Sequence, residues 1–167
     1  MKKIILFLAC GLLIGNAVFA QAKFGYIDSR ELLKAMPEIT KANTDVEAYA
    51  KTFQDQLQTM GKEYESKAQA FQAGEKTMTD AVKEVKIKEI QDLQGRIESF
   101  QQSATEKVEK KKQELYAPVL EKADKAIKDV AKEKGYDYIF DASSGALLHA
   151  NEANNILSLV KTKLGIK

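Results

Sequence analysis

Apolar residues within residues 38–134 recur at intervals of three, four and seven, which is the spacing of one face of an α-helix. Residues 73–80, with the sequence AGEKTMTD, interrupt this pattern with a glycine and two threonines. Such a cluster is typical of a turn. The pattern therefore predicts two long helices joined by a turn in residues 73–80.

Apolar positions on the two predicted helices also pair in a regular order. In an antiparallel pair, residues at the same height have numbers that add to a nearly constant value. Eight apolar pairs have sums of 153 or 154: Phe71 with Val82, Met60 with Leu93, Phe53 with Phe100, Tyr49 with Ala104, Tyr64 with Ile90, Leu57 with Ile97, Val46 with Val108 and Ile39 with Leu115. This order predicts an antiparallel coiled-coil hairpin centred near Lys76 and Thr77. Apolar steps of eleven residues mix with steps of seven, so we expect fairly straight arms about 50 Å long.

The segments that flank the hairpin, residues 21–37 and 135–167, predict a small body. Phe24–Ile27 has the composition of a short strand, and Asp28 with Glu31 predicts a capped helix through Met36. The later segment predicts strands at 138–140 and 146–149, a turn between them at 141–145, and a helix at 153–164 ended by Gly165. The predicted fold class is α+β, mostly α, with a long helical hairpin on a small β-rich body.

A body of this size buries little surface, and its short strands leave open edges. We therefore expect it to assemble with copies of itself as a homo-oligomer.

Pro118 lies just beyond the last predicted pair and removes a helix hydrogen bond. A kink or a slack turn is expected there, at the junction between arm and body.

The first twenty residues have the pattern of a secretory signal peptide. Lys2 and Lys3 precede the apolar run IILFLACGLLIG, and the small-residue site AVFA ends at Ala20, after which cleavage is predicted. The run is shorter than the ~20 residues that a membrane-spanning anchor needs. Cys10, the single cysteine, lies too near the start for a lipoprotein site, so the secreted chain is expected to lack disulfides.

Charge and chemistry exclude several classes of function. Residues 21–167 contain 24 basic and 24 acidic residues, a balance that argues against a nucleic-acid-binding protein. The densest basic cluster, residues 110–112, is better explained as a solvated helix face than as a phosphate or lipid-headgroup site. His149 is the single histidine, Ser143-Ser144-Gly145 reads as a turn, and no glycine-rich phosphate loop occurs. We therefore expect no catalytic site, cofactor or metal.

Two segments of the body resemble a known family. The stretch ELYAPVLEKADKAIKDVAKEKGYDYIFDAS, followed by ALLHAN, is similar to the C-terminal signature of the Skp/OmpH family of periplasmic chaperones, and KFGYIDSRELLKAMPE resembles its first strand and helix. The resemblance implies a periplasmic homotrimer whose three hairpins enclose a cavity. It also implies ATP-independent holding of unfolded outer-membrane proteins. The strongly basic character of the best-known members is missing, and a contact with membrane or lipopolysaccharide has no support in the sequence.

If the chain holds such unfolded proteins, here called clients, its arms need adaptable apolar contacts. Met60, Phe71 and Met78 are the candidates. Met60 and Phe71 already belong to predicted pairs, so a role in the hairpin core is favoured for both. Met78 lies in the turn and is the better candidate for an exposed contact.

Gly61 and Gly95 lie at almost the same height in the two arms, and each is expected to cost its helix ~1 kcal/mol relative to alanine. They form a candidate flexible point that would let the arm bend, although two tolerated surface glycines explain the pattern equally well.

Two other functions share the long arms and the secretion signal: a structural coiled-coil spacer of the envelope, and an adaptor that binds a folded partner. The absence of an anchor disfavours the spacer, and binding to folded but not to denatured proteins would identify the adaptor.

Overall fold

The computed structural model describes residues 22–166, so the predicted signal peptide, its cleavage after Ala20 and Cys10 lie outside the described residues. The elements in chain order are β1 (Phe24–Ile27), α1 (Ser29–Ala35), α2 (Pro37–Gly74), α3 (Asp80–Lys134), β2 (Tyr138–Asp141) and α4 (Leu157–Leu164), with short 3-10 turns at Glu75–Thr77, Ala142–Ser144 and Glu152–Asn154. Long helices and one two-stranded sheet agree with the predicted α+β, mostly α class.

The two long helices contact each other across the predicted turn. α2 has 38 residues and α3 has 55, which correspond to lengths of about 57 and 82 Å. The rings of Phe53 and Phe100, one of the eight predicted pairs, lie 5.9 Å apart. Nearer the turn, Lys67 Nζ lies 3.2 Å from a carboxylate oxygen of Glu89. Contacting residues thus have rising numbers on α2 and falling numbers on α3.

The start of α2 packs against the body. Lys122 forms an ion pair with Glu38, and Ile39 packs against the buried cluster that contains Val119. The predicted pairing of Ile39 with Leu115 stays a prediction.

Local caps determine where the short helix α1 begins and ends. The Asp28 carboxylate accepts hydrogen bonds from the backbone N–H groups of Arg30 and Glu31 at 2.9 and 3.2 Å, which confirms the predicted cap. Met36 is extended because a residue before proline is disfavoured in helical conformation, and Pro37 then begins α2. The chain thus turns from α1 into the arm within two residues.

β1 and β2 form a parallel pair in which Phe24 faces Tyr138 and Ile27 faces Asp141. The whole hairpin is the connection between them, as a parallel pair requires a long crossover. On the other side of β1, Tyr26 forms a β-bridge with Asn155. The Tyr26 carbonyl accepts a hydrogen bond from the Ile156 N–H at 2.9 Å.

The third predicted strand, at 146–149, is wrong. Residues 146–150 have no regular secondary structure, and Leu148 is 95% exposed. Alternation favours an extended chain, but a strand also needs a neighbour, and residues 155 and 156 already lie along β1. The final helix is correspondingly shorter than predicted: it begins at Leu157 and not at 153, although it ends at Gly165 (φ 72°) as predicted.

The core of the body extends further into α3 than the predicted boundary at 134/135 allows. The nine buried residues of this cluster are Ile27, Leu32, Met36, Val119, Ala123, Ala126, Val130, Ile156 and Val160. Four of them belong to α3 and begin directly after Pro118. α3 continues through Pro118 without a break, so the expected slack turn is excluded, whereas a kink there stays a prediction.

Candidate functional site

Within residues 22–166, no three His, Cys, Asp or Glu side chains lie together in a way that would hold a metal ion. His149 is exposed and lies in the irregular segment, not in a strand. No described helix is long and apolar enough to cross a membrane. The features that remain for a function are the long surface of the arms and the sheet of the body.

An open groove of about 790 Å³ lies halfway along the arms. Its lining residues are Gln56, Met60, Gln91, Asp92, Gly95, Arg96, Ser99 and Phe100. Met60 is only 7% exposed, in agreement with the favoured role in the hairpin core. Gly95 contributes to the groove, and Gly61 is exposed nearby on α2. A Cβ added at either glycine would meet nothing within 4 Å, so packing does not require glycine at these positions.

Phe71 and Met78 line a smaller pocket of about 90 Å³ next to the turn. Both side chains are partly buried, and Met78 folds back over Gly74, where a Cβ would lie 2.6 Å from the methionine methyl group. The absence of a Cβ at Gly74 leaves space for the methionine, so Met78 closes the turn and is only partly exposed. Its role as a client contact stays a prediction.

Exposed apolar side chains instead occupy the start of α3. Val82, Val85 and Ile87 are all exposed, Val85 to 56%. Val82 was predicted to pair with Phe71, and no role was predicted for Val85 or Ile87. The sequence did contain a signal for this exposure. Apolar residues occur at 82, 85, 87, 90 and 93, which is more than one seam between two helices can bury. Among these five, Leu93 alone is fully buried.

Charges along the arms are balanced and locally paired. Lys41 with Asp45 and Lys51 with Asp55 form ion pairs of 2.8 Å one helical turn apart. Hydrogen bonds from Lys67 and Lys86 lower the pKa of the Glu89 carboxyl. Because these groups are exposed, each pair adds little stability. Because positive and negative charges lie close together, the arms have no strong electrostatic field of either sign. This agrees with the interpretation of residues 110–112 as a solvated helix face.

The outer face of the sheet is aromatic and exposed. Phe24 stacks on Tyr138 and Phe140, with ring centroids 5.6 and 6.1 Å apart, and all three side chains are exposed, Tyr138 to 59%. Tyr26 lies in the same alternation and donates its hydroxyl to Glu152 at 2.7 Å. A cluster of four aromatic side chains at a surface is typical of a contact with another protein chain.

Asp141, at the end of β2, has a structural role. Its carboxylate accepts hydrogen bonds from the Ser29 hydroxyl at 2.7 Å, the Ser29 N–H at 3.1 Å and the Ser143 N–H at 2.9 Å. Burial raises the pKa of this carboxyl, but the hydrogen bonds from Ser29 and Ser143 outweigh burial and bring it to about 2. Asp141 is therefore ionised at neutral pH, unlike a general acid.

Three comparisons with known proteins found similarity over most of this chain. The model of the family described as outer membrane protein (OmpH-like) matches residues 23–164. A protein of Aquifex aeolicus (strain VF5), named only as uncharacterized, is 29% identical over 144 residues, which cover 86% of this chain and 85% of that protein. A crystal structure from Caulobacter crescentus CB15, described as an OmpH-like outer membrane chaperone, has a TM-score of 0.75 at 17% identity and covers 90% of this chain and 88% of that one. This likeness shows a shared fold.

Proposed function

The chain belongs to the OmpH-like family, and we propose that it is a periplasmic chaperone that holds unfolded outer-membrane proteins without ATP. An unfolded barrel strand exposes alternate apolar side chains together with unpaired backbone groups, a combination that aggregates readily. Holding such a chain requires many weak contacts spread over a long surface, in place of one deep pocket.

The observation that carries this proposal is the surface of the arms. Val82, Val85 and Ile87 expose apolar area among charges of both signs, at the end of helices that extend far from the core of the body. Halfway along, the groove beside Met60 and Gly95 adds an apolar floor with a polar rim. These separate contacts suit a client of variable sequence better than one folded partner.

Assembly into a homotrimer is part of the proposal. Three hairpins that project from one joint body would surround a client on several sides. The aromatic face formed by Phe24, Tyr138 and Phe140 supports self-association, because its rings are about half exposed.

The proposal is tested by diluting a urea-denatured outer-membrane barrel protein into buffer with the purified chaperone and no nucleotide. We expect suppressed turbidity and a complex with the mass of a chaperone trimer plus one client. Replacing Val82, Val85 and Ile87 by serine is expected to weaken suppression several-fold, because it removes exposed apolar contacts without opening a core.

A matched control replaces three exposed polar residues of the arms, Gln54, Gln58 and Gln101, by serine and should leave suppression unchanged. Turbidity equal to that without chaperone, from a protein that is still folded and oligomeric, would contradict the holding function. Saturable binding to a folded envelope protein in the same experiments would then favour the adaptor, and no binding at all would favour the spacer.

A further inference from the structure

The methionines of residues 21–167 differ in how far solvent reaches them. Met36 and Met60 are 1% and 7% exposed, whereas Met78, in the turn between the arms, is partly exposed. Residues 21–167 contain no cysteine, and the sequence has no tryptophan. Because exposure decides which methionine an oxidant reaches first, Met78 is the residue that a peroxide should oxidise in preference to the other two.

The side chain of Met78 packs back over Gly74. A Cβ at Gly74 would lie 2.6 Å from the Met78 methyl carbon and 4.0 Å from its sulfur, so the thioether occupies space that the glycine leaves free. Met78 also lines the pocket of about 90 Å³, together with Phe71 and Ile90. An apolar thioether therefore covers apolar surface at the tip of the arms.

Few other contacts hold this turn. The Thr77 hydroxyl donates to the Gly74 carbonyl at 2.8 Å. Thr79, the N-cap of α3, makes no capping hydrogen bond with its side chain within the described residues. A chemical change at Met78 therefore acts on a turn that has little else to keep it closed.

Oxidation makes the Met78 side chain polar. A lone pair of the sulfur attacks one oxygen of hydrogen peroxide, the O–O bond breaks, an S–O bond forms, and the second oxygen leaves with both hydrogens as water. The sulfur is oxidised by two electrons, and the peroxide is reduced by two. The product is a sulfoxide, whose oxygen is a hydrogen-bond acceptor that is costly to bury among apolar groups.

The ammonium groups beside this pocket are already paired. Lys67 and Lys86 both line it, and each donates to the Glu89 carboxylate at 3.2 Å. A sulfoxide that stayed over Gly74 would compete for these donors with a charged acceptor, which binds them more strongly. Water supplies hydrogen bonds to the sulfoxide without that competition, so the oxidised side chain is more stable outside the pocket.

We propose that Met78 is a peroxide-sensitive modification site, and that its oxidation releases the side chain from Gly74 and opens the turn at the tip of the arms. The opening uncovers apolar surface of Phe71 and Ile90. Under the proposed holding function, on which this last consequence rests, the oxidised chaperone binds unfolded clients more tightly. A methionine sulfoxide reductase restores the thioether by oxidising two thiols to a disulfide, and the sulfoxide oxygen leaves as water.

Mass spectrometry and hydrogen–deuterium exchange test the proposal on the purified native protein. During treatment with hydrogen peroxide, Met78 should be oxidised at least about tenfold faster than Met36 and Met60, and urea should abolish this difference. After oxidation, backbone amides of residues 71–80 should exchange about tenfold faster, because the turn opens more often, whereas amides at mid-arm should be unchanged.

Variants at two methionines supply the controls. Met78→Leu keeps an apolar side chain without an oxidisable sulfur and should lose the response to peroxide, whereas Met60→Leu, the matched control, should keep it. Met78→Gln should open the turn without peroxide, and the reductase should restore slow exchange in the oxidised wild type. Faster oxidation of a buried methionine, unchanged exchange when Met78 is fully oxidised, or a response that survives Met78→Leu would each overturn the proposal.

Titration with a labelled, unfolded barrel protein separates the modification site from the holding function. The oxidised chaperone should bind about threefold more tightly, because more apolar surface is available to the client. Equal binding by both forms, with the turn open, would overturn the effect on clients and leave the modification site in place. An unoxidised chaperone that binds no client would overturn the holding function, and hydrogen exchange would still judge the response of the turn.

Discussion

The carboxylate of Asp141 joins two parts of the chain that lie more than a hundred residues apart. It accepts hydrogen bonds from the hydroxyl and N–H of Ser29, at the start of α1, and from Ser143 in the turn after β2. Lys23 makes a second such link, since its backbone N–H donates to Asp137 at 2.6 Å and its ammonium donates to the Lys134 carbonyl at 2.7 Å. The Lys23 ammonium also interacts favourably with the partial negative charge at the C-terminal end of α3.

The Asp141 hydrogen bonds predict a specific loss of stability in acid. The pKa of this carboxyl is about 2 in the folded chain and near 3.8 when unperturbed, so its contribution is complete above pH 4 and is lost as the pH falls towards 2. Asp141→Asn should lower the free energy of unfolding at pH 7 by about 1 kcal/mol, a modest value because the group is largely solvated. Urea unfolding at several pH values measures both effects.

The difference between Asp141→Asn and wild type should disappear near pH 2. Asp92→Asn, a change of the same charge at an exposed position on the arm, is the control and should leave the free energy of unfolding nearly unchanged. A difference that stays constant from pH 7 to pH 2 would show that ionisation of Asp141 does not carry the effect.

At the scale of elements, the long helices were predictable and the third strand was not. Helix hydrogen bonds are local, so the apolar period and the turn residues in 73–80 sufficed to predict α2, α3 and the break between them. A strand depends on a distant neighbour, so the alternation at 146–149 was insufficient to predict one. The same limit explains the late start of α4, whose preceding residues are held beside Tyr26.

The two glycines at mid-arm give a prediction about bending of the helices. Gly61→Ala and Gly95→Ala should each raise the free energy of unfolding by about 0.5–1 kcal/mol, since a Cβ at either position meets nothing within 4 Å and alanine favours the helix. If the pair is a flexible point, the double variant should also narrow the distribution of arm separations in solution scattering. It should hold large clients less well than small ones.

Ala48→Gly with Gln101→Gly provides the reverse control, because it adds flexibility at two other exposed positions of the arms. An unchanged arm spread and client-size range in the double alanine variant, despite higher stability, would mean that Gly61 and Gly95 are tolerated surface residues without a role in bending.

For the whole molecule, the balance of charge predicts which contacts would hold clients under the proposed function. Residues 21–167 carry 24 basic and 24 acidic residues, and many charges on the arms are paired within one turn. Capture should therefore depend on apolar contacts more than on attraction between net charges. Raising salt from about 0.05 to 0.5 M, which shortens the screening length several-fold, should change client affinity by about threefold at most.

Fluorescence titration with a labelled, unfolded barrel protein measures this dependence, and the Val82, Val85, Ile87 triple serine variant supplies the comparison. Its loss of affinity should exceed the effect of salt. An affinity that falls steeply with salt while the triple variant binds normally would indicate capture by local basic clusters, such as residues 110–112.

The sequence by itself determined the two long helices, the turn between them, β1, the Asp28 cap, the end of the chain's last helix at Gly165 and the resemblance that the family match bears out. These features depend on contacts within a few residues or on motifs that can be read directly. Only the tertiary structure decided that α3 supplies four core residues to the body, that Met78 closes over Gly74, and that Val85, Leu148 and the sheet rings stay exposed. Exposure depends on which distant surfaces meet. An apolar residue fits the same sequence pattern whether side chains of its own chain bury it or it stays exposed on the surface.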